Sequence, residues 1–117
     1  MSSFGSDTPF MLIARLKVKE GKVNEYFEIA DKTDKAVEAS EPGMLHHTFD
    51  QDPEDPLSFV WSEVFKNDDA FLAHLVNPPV GAYLEVHAGL CDGDLSIEFY
   101  GTVGDKVFKS QLGYSRI

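Results

Sequence analysis

Three residues in one short stretch carry side chains suited to chemistry on an aromatic molecule. The stretch reads VWSEVFKNDDAFLAHL and contains Trp61, Glu63 and His74. Histidine exchanges protons near neutral pH, so His74 could move a proton to or from a phenol. Glu63 could act as a base if burial raised its pKa, and Trp61 could stack on a flat substrate. His74 and Glu63 are therefore our candidate catalytic residues, and Trp61 is a candidate substrate-binding residue.

The same three residues also have structural interpretations, which the sequence leaves open. His74 could be a half-buried histidine that is hydrogen-bonded to Glu63 or to a backbone carbonyl. An ionised Glu63 without a partner would be costly among the apolar residues of its strand face, so it could instead pair with His74 or Arg15. Trp61 could be an ordinary residue of the core.

Two adjacent histidines, His46 and His47, form a second group of candidates. Neighbouring side chains in a strand point to opposite faces, so these two cannot chelate one metal together. Either could enter a pocket, and we take His47 as a candidate substrate-binding residue, with a surface or interface position as the alternative. His47 is expected to share a strand face with Leu45 and Phe49. His87 lies near the end of the last helical segment and is expected to be exposed.

The composition excludes several classes of function. The chain of 117 residues has 20 acidic and 10 basic residues, with a formal net charge of -10. Such a surface repels phosphate groups, so neither nucleic acid nor an anionic membrane is an expected partner. The sequence shows no signal-peptide pattern, and no segment approaches the ~18 apolar residues of a membrane span. We therefore expect a cytoplasmic protein.

The chain also lacks the patterns that hold metals and organic cofactors. Its single cysteine, Cys91, allows neither an intramolecular disulfide nor a cysteine-based metal site. There is no metal-binding spacing of histidines, no glycine-rich phosphate loop and no nucleophile elbow. The sequence therefore predicts no metal or organic cofactor.

The hydrophobic pattern predicts the elements that must position these residues. Alternating apolar residues indicate strands, and apolar residues at helical spacing indicate helices. The predicted elements are a strand over 10–18, a helix over 22–40, an antiparallel hairpin with strands at 43–51 and 57–65, a helix that begins at 67 or 68, a helical segment to about residue 88, and a strand over 95–103. This is the ferredoxin-like order β-α-β-β-α-β, an α+β fold in which helices cover one face of an antiparallel sheet.

The second face of that sheet is also apolar and needs a cover. Met11 and Ile13 lie on it in the first strand, as do Val60 and Val64 in the third. Such a patch is unusual for a soluble monomer, and the simplest cover is a second copy of the same sheet. We expect a homodimer formed through the sheet faces. Residues 1–117 are predicted to form one domain, with a flexible lead-in at 1–9 and a C-terminal extension at 104–117.

Four local motifs, together with this order of elements, resemble the antibiotic biosynthesis monooxygenase family. They are the EPG after the first helix, the DPEDP hairpin, the glutamate two residues before an aromatic residue in the third strand, and the AH of the second helix. The resemblance covers roughly residues 10–103 and implies a dimeric α+β barrel with a pocket between sheet and helices. Some members oxidise polycyclic phenols to quinones with molecular oxygen and no metal or flavin. Others degrade haem or isomerise small sugar-like molecules.

The sequence departs from the family pattern at positions that bear on activity. The SPH or TPH that usually follows the AH reads NPP here, with Pro79 in place of the histidine. The haem-degrading branch needs an Asn, a Trp and a His at positions where this chain has Ala14, Phe65 and Glu85. Haem degradation is therefore not expected.

Two functions from different classes fit these observations. The first is a cofactor-independent monooxygenase acting on a small phenol or quinol, with molecular oxygen as co-substrate. Its substrate would lie between the sheet and the helices against Trp61, Phe65 and Tyr83, and His74 or Glu63 would form the phenolate. We expect Glu63 and His74 to meet at this pocket through a hydrogen bond. The second function is a non-catalytic dimeric barrel that binds a small molecule or has a stress or accessory role.

Overall fold

The computed structural model describes residues 8–101, which form a four-stranded antiparallel sheet with helices packed on one face. The elements are β1 (Phe10–Lys17), α1 (Val23–Ser40), β2 (Met44–Asp52), β3 (Asp55–Phe65), α2 (Asp68–Leu75), α3 (Pro78–Leu90) and β4 (Ser96–Gly101). The strand order is β2-β3-β1-β4. This confirms the predicted ferredoxin-like α+β fold, with α2 and α3 as two separate helices. The extension predicted at 104–117, and all of the lead-in except Thr8 and Pro9, lie outside the described residues.

The helices begin and end where the local sequence dictates. The side chain of Asn67 accepts a hydrogen bond from the amide of Ala70 at 2.9 Å and so caps α2. Helix α3 begins with Pro78, at a position whose amide would have no partner inside the helix. Within residues 8–101, no helix is both long and apolar enough to cross a membrane.

The register of the sheet decides which side chains face the helices. Leu12 lies opposite Glu63, and Ala14 lies opposite Trp61, so these four share one face. Leu12, Ala14 and Trp61 are buried there beneath the helices. The face of β3 that holds Trp61 and Glu63 therefore points toward the helices. The opposite face carries Met11, Ile13, Val60 and Val64, which are half-buried in the single chain.

An extra residue in β2 changes which of its side chains share a face of the sheet, compared with the expectation from strict alternation. Met44 pairs with Phe65 and His46 pairs with Val64, which leaves Leu45 as a β-bulge between them. Met44 is therefore buried on the helix face together with His47, whereas Leu45 is 48% exposed. The sequence had suggested that Leu45 shares the face of His47, because strict alternation cannot reveal an inserted residue.

Candidate functional site

A cavity of about 110 Å³ lies between the helix face of the sheet and the three helices. Most of its lining is apolar and comes from every layer of the fold. Polar groups enter from the sheet through Glu63, from α1 through Thr33 and Asp34, from α2 through His74 and from α3 through Tyr83. A mostly apolar concave site with a few converging polar groups is the usual form of a small-molecule site.

Glu63 and His74 lie on the wall of this cavity, close together but not hydrogen-bonded. The side chain of each is only 12% exposed, and Nε2 of His74 is 3.9 Å from Oε1 of Glu63. That distance is too long for a hydrogen bond, so the bond expected between them is absent. Arg15, the other expected partner of Glu63, lies on the opposite face of the sheet and pairs with Glu98 at 2.7 Å.

The hydrogen-bond partner of His74 is instead Glu41, which the sequence analysis did not single out. Nδ1 of His74 lies 2.9 Å from Oε1 and 3.0 Å from Oε2 of Glu41. The amide of Asn77 donates to the same carboxylate at 2.7 Å. Because an ionised carboxylate only accepts hydrogen bonds, Nδ1 carries the hydrogen, and Nε2 of the neutral ring keeps a lone pair on the side of Glu63.

The tripeptide Glu41-Pro42-Gly43 explains how the end of helix α1 places the Glu41 carboxylate beside His74. Glu41 follows the last turn of α1 and is buried, although the helix dipole disfavours a negative charge at that end. Pro42 prevents the helix from continuing. Gly43 lets α2 approach closely, because a Cβ at this position would lie 2.5 Å from the Cβ of Ala70. An acidic residue at a helix C-terminus, where the dipole disfavours it, was a hint of a specific role for Glu41, but it did not identify His74 as the partner.

The electrostatic environment of Glu63 preserves its protonated form to higher pH than in an exposed glutamate. Burial raises the pKa of Glu63, and the charges of Glu41 and Asp34 act in the same direction. The positive charges that His74 and His47 carry when protonated act in the opposite direction, but the net effect is a raised pKa of Glu63. A protonated Glu63 can donate a hydrogen bond to a ligand, which an ionised carboxylate cannot do.

A chain of buried hydrogen bonds runs from the cavity wall into helix α3. Nε1 of Trp61 donates to the hydroxyl of Tyr83 at 2.9 Å, and that hydroxyl is hydrogen-bonded to the hydroxyl of Tyr26. The Tyr26 hydroxyl also contacts Nδ1 of His87 at 2.9 Å. Burial raises the pKa of Tyr83 to about 12 and that of Tyr26 further still, so both are neutral groups. Trp61 and Tyr83 both line the cavity.

The position of His87 differs from the expectation that it is exposed. It is 4% exposed, and burial lowers its pKa, with the backbone of Gly93 and the charge of Asp94 acting against that shift. Val80, Tyr83, His87 and Leu90 are the buried residues of α3, at spacings of one helical turn. This stripe is visible in the sequence and could have placed His87 inside.

Two further candidates, Phe65 and His47, lie behind the cavity and not on its lining. Phe65 is fully buried, and its ring centroid is 5.2 Å from that of His74, which it supports from behind. His47 lies on the helix face of β2, with Nδ1 2.6 Å from Oδ1 of Asp34, and its Nε2 contacts Glu38. His47 therefore links β2 to α1, and its contact with the cavity lining is through Asp34.

Fold and site together define a class of protein, namely ferredoxin-like α+β domains with an apolar pocket between sheet and helices. Residues 9–86 match the model of the family described as antibiotic biosynthesis monooxygenase, and the chain belongs to this family. The uncharacterized protein sll1783 from Synechocystis sp. strain PCC 6803 is 28% identical over 96 residues. That match takes in 82% of this chain but only 65% of the relative's length.

Solved structures share the same fold at low sequence identity. A candidate antibiotic biosynthesis monooxygenase from Caulobacter crescentus CB15 superposes with a TM-score of 0.81 and 22% identity, over 86% of this chain and 93% of that chain. One from Nitrosomonas europaea gives a TM-score of 0.78 and 19% identity, over 88% and 98%. Rv0793 from Mycobacterium tuberculosis superposes with a TM-score of 0.76 and 14% identity, over 86% of this chain and 100% of that chain. At these identities the similarity establishes the fold alone.

Proposed function

We propose that this protein is a cofactor-independent monooxygenase that oxidises a small phenol or quinol in the cavity between sheet and helices. The observation that carries the proposal is the 3.9 Å gap between Nε2 of His74 and Oε1 of Glu63 on the cavity wall. Two atoms at this separation leave room for a hydroxyl oxygen that lies about 2.8 Å, a hydrogen-bond distance, from each of them. One phenol oxygen can therefore interact with both groups at once.

The two groups then have complementary roles in forming the phenolate. Nε2 of His74 accepts the phenolic proton, and Glu41 stabilises the resulting imidazolium through the hydrogen bond at Nδ1. Glu63, whose protonated form is favoured by burial, donates a hydrogen bond to the phenolate oxygen. An ionised Glu63 would repel the phenolate, so the raised pKa of Glu63 supports this assignment.

The substrate itself supplies all the electrons of the reaction. The phenolate transfers one electron to molecular oxygen, and the phenoxyl radical and superoxide join at the ring carbon para to the hydroxyl. Loss of the proton from that carbon, with cleavage of the O–O bond, leaves a quinone and releases water. The net reaction is phenol plus oxygen to p-quinone plus water, and no external reductant is consumed. The apolar lining excludes water from the charged intermediates.

Because the substrate supplies all the electrons of the reaction, we propose that the protein has no resident metal or organic cofactor. Within residues 8–101, no group of three or more His, Cys, Asp or Glu side chains is placed to hold a metal ion. Protein purified without additives is expected to contain no stoichiometric flavin, haem or transition metal. Optical spectra and elemental analysis test this directly.

Oxygen uptake and quinone formation with a panel of phenols test the proposed reaction. His74→Gln is expected to abolish turnover, and Glu63→Gln, which keeps a hydrogen-bond donor, is expected to retain part of it. Glu85→Gln, a change at an exposed carboxylate of α3, is the matched control and should have no effect. If phenols bind in the cavity but none is oxidised, the protein is instead a non-catalytic barrel that binds a small molecule.

A further inference from the structure

The cavity is small for the ring systems that a phenol-oxidising protein could use. Its volume is about 110 Å³, whereas a dry apolar cavity of about 150 Å³ binds one benzene molecule. A single six-membered ring therefore fills the cavity and places its edge in the mouth. A second fused ring has no room inside.

Buried hydrogen bonds prevent the back wall from receding to make more room. The rings of Trp61 and Tyr83 meet edge to face with centroids 6.1 Å apart, and Trp61 donates to the Tyr83 hydroxyl at 2.9 Å. Tyr83 is in turn hydrogen-bonded to Tyr26, which is fully buried. Moving Trp61 or Tyr83 outward would leave buried polar atoms without partners, which is energetically unfavourable.

The remaining lining shows where a larger ligand would have to extend. Leu75, Leu84 and Ile97 line the cavity and are nevertheless 53%, 44% and 49% exposed. These three apolar side chains mark the mouth. If Glu63 and His74 hold the hydroxyl of a ring, any substituent that does not fit inside must extend past the mouth.

We propose that the cavity selects phenols with a single aromatic ring, whose hydroxyl lies between Glu63 and His74 and whose substituents are joined by rotatable single bonds and extend past Leu75, Leu84 and Ile97. This inference rests on the proposed function for the position of the hydroxyl. The net reaction adds a second requirement, since the carbon para to the hydroxyl must carry hydrogen. Substituents are therefore ortho or meta to the hydroxyl.

Phenol and 1-naphthol are a matched pair of probes, because both have a hydrogen at the carbon para to the hydroxyl. Naphthol has more apolar surface, so partition out of water alone would make it bind more tightly. A cavity that holds one ring reverses this order. Titration by NMR, followed at the Trp61 indole N–H, should show phenol binding at least about tenfold more tightly than 1-naphthol.

Two variants that enlarge the cavity, and one control, separate a size limit from other causes. Leu84→Ala widens the mouth at an exposed position, where folding is not at risk, and Val80→Ala widens the interior. Each should bring the affinity for 1-naphthol to within about threefold of that for phenol. Val86→Ala is the same kind of change on α3 at an exposed residue outside the lining, and should leave the order as in the wild type.

Tighter binding of 1-naphthol than of phenol to the wild-type protein would overturn the inference, whether or not either compound is oxidised. Preferential binding of phenol without oxidation would instead overturn the proposed reaction and leave the size limit standing. If neither compound binds at millimolar concentration, both proposals fail.

Discussion

The carboxylate of Glu41 and the imidazole of His74 form a buried contact between residues 33 positions apart in the chain. Their side chains are only 6% and 12% exposed, and Asn77 occupies the remaining side of the carboxylate. The contact fixes the orientation of the ring, so that Nδ1 faces Glu41 and Nε2 faces the cavity. Glu41 is in this sense a positioning residue for His74.

Replacing Glu41 should impair catalysis without removing the base. In Glu41→Gln, the amide oxygen still accepts from Nδ1 but no longer stabilises the imidazolium by charge. We expect kcat to fall about 10- to 100-fold, less than the loss on removing His74 itself. KM should change by less than about threefold, because Glu41 contacts the His74 ring and does not line the cavity. A rise in KM with kcat unchanged, or a loss of kcat in the Glu85→Gln control as well, would contradict the role of Glu41 as a positioning residue.

His47 should make the free energy of unfolding depend on pH above neutrality. Burial lowers the pKa of His47, but hydrogen bonds and charges from Glu38 and Asp34 outweigh this and raise it above 6.5. Its contribution to stability is therefore fully present below about pH 6.5 and is lost as pH rises through the raised pKa. Urea unfolding between about pH 6 and 9 should show this decline in the wild type and a flatter curve for His47→Gln. Equal slopes for the two proteins would refute the assignment.

Glu63 should produce a second decline that begins at lower pH. Since burial raises the pKa of Glu63 above 4.5, its ionisation is harder in the folded than in the unfolded chain. Stability therefore falls as pH rises from about 4.5 to the raised pKa and is level above it. Glu63→Gln should remove this slope and be more stable than the wild type at pH 8. A Glu63→Gln protein less stable at pH 8, with the slope retained, would contradict a raised pKa.

The hydroxyl of Tyr26 should contribute more to the free energy of unfolding than an exposed hydroxyl does. Tyr26→Phe leaves the Tyr83 hydroxyl and Nδ1 of His87 each without their shared partner, at a cost of about 1–3 kcal/mol. Tyr100→Phe removes an exposed hydroxyl that contacts Glu98 and should change the free energy of unfolding far less. Chemical denaturation of both variants gives the comparison, and equal losses would mean that the buried chain adds no stability.

The outer face of the sheet should be the surface that joins two copies. A charge at Val64, as in Val64→Asp, places a carboxylate opposite Met11 on this face and should yield monomers. Leu72→Asp makes the same change at a 54% exposed position of α2 and should leave the dimer intact. Light scattering at micromolar concentration measures the mass of each. A wild-type monomer under these conditions would rule out the sheet-to-sheet dimer.

The sequence was sufficient to predict the order of elements and the face that holds Trp61 and Glu63. Both follow from short-range periodicity, since side chains two positions apart in a strand must share a face. The partner of His74 could not be predicted in the same way. Glu63 lies near it along the chain, but Glu41 reaches it only because helix α1 ends beside helix α2. That relationship depends on how the layers pack, which no local pattern of residues records.

The bulge at Leu45 has a consequence for insertions and deletions in this chain. Met44 already pairs with Phe65, and His46 with Val64, as they would in a regular ladder that had no residue between them. Deleting the Leu45 codon would therefore preserve every pairing of β2 and the faces of both histidines. Deleting Thr48, in the regular part of the ladder, would instead shift one part of the strand against the other and exchange its faces. Length variation among natural relatives should accordingly concentrate at Leu45 and be rare elsewhere in β2.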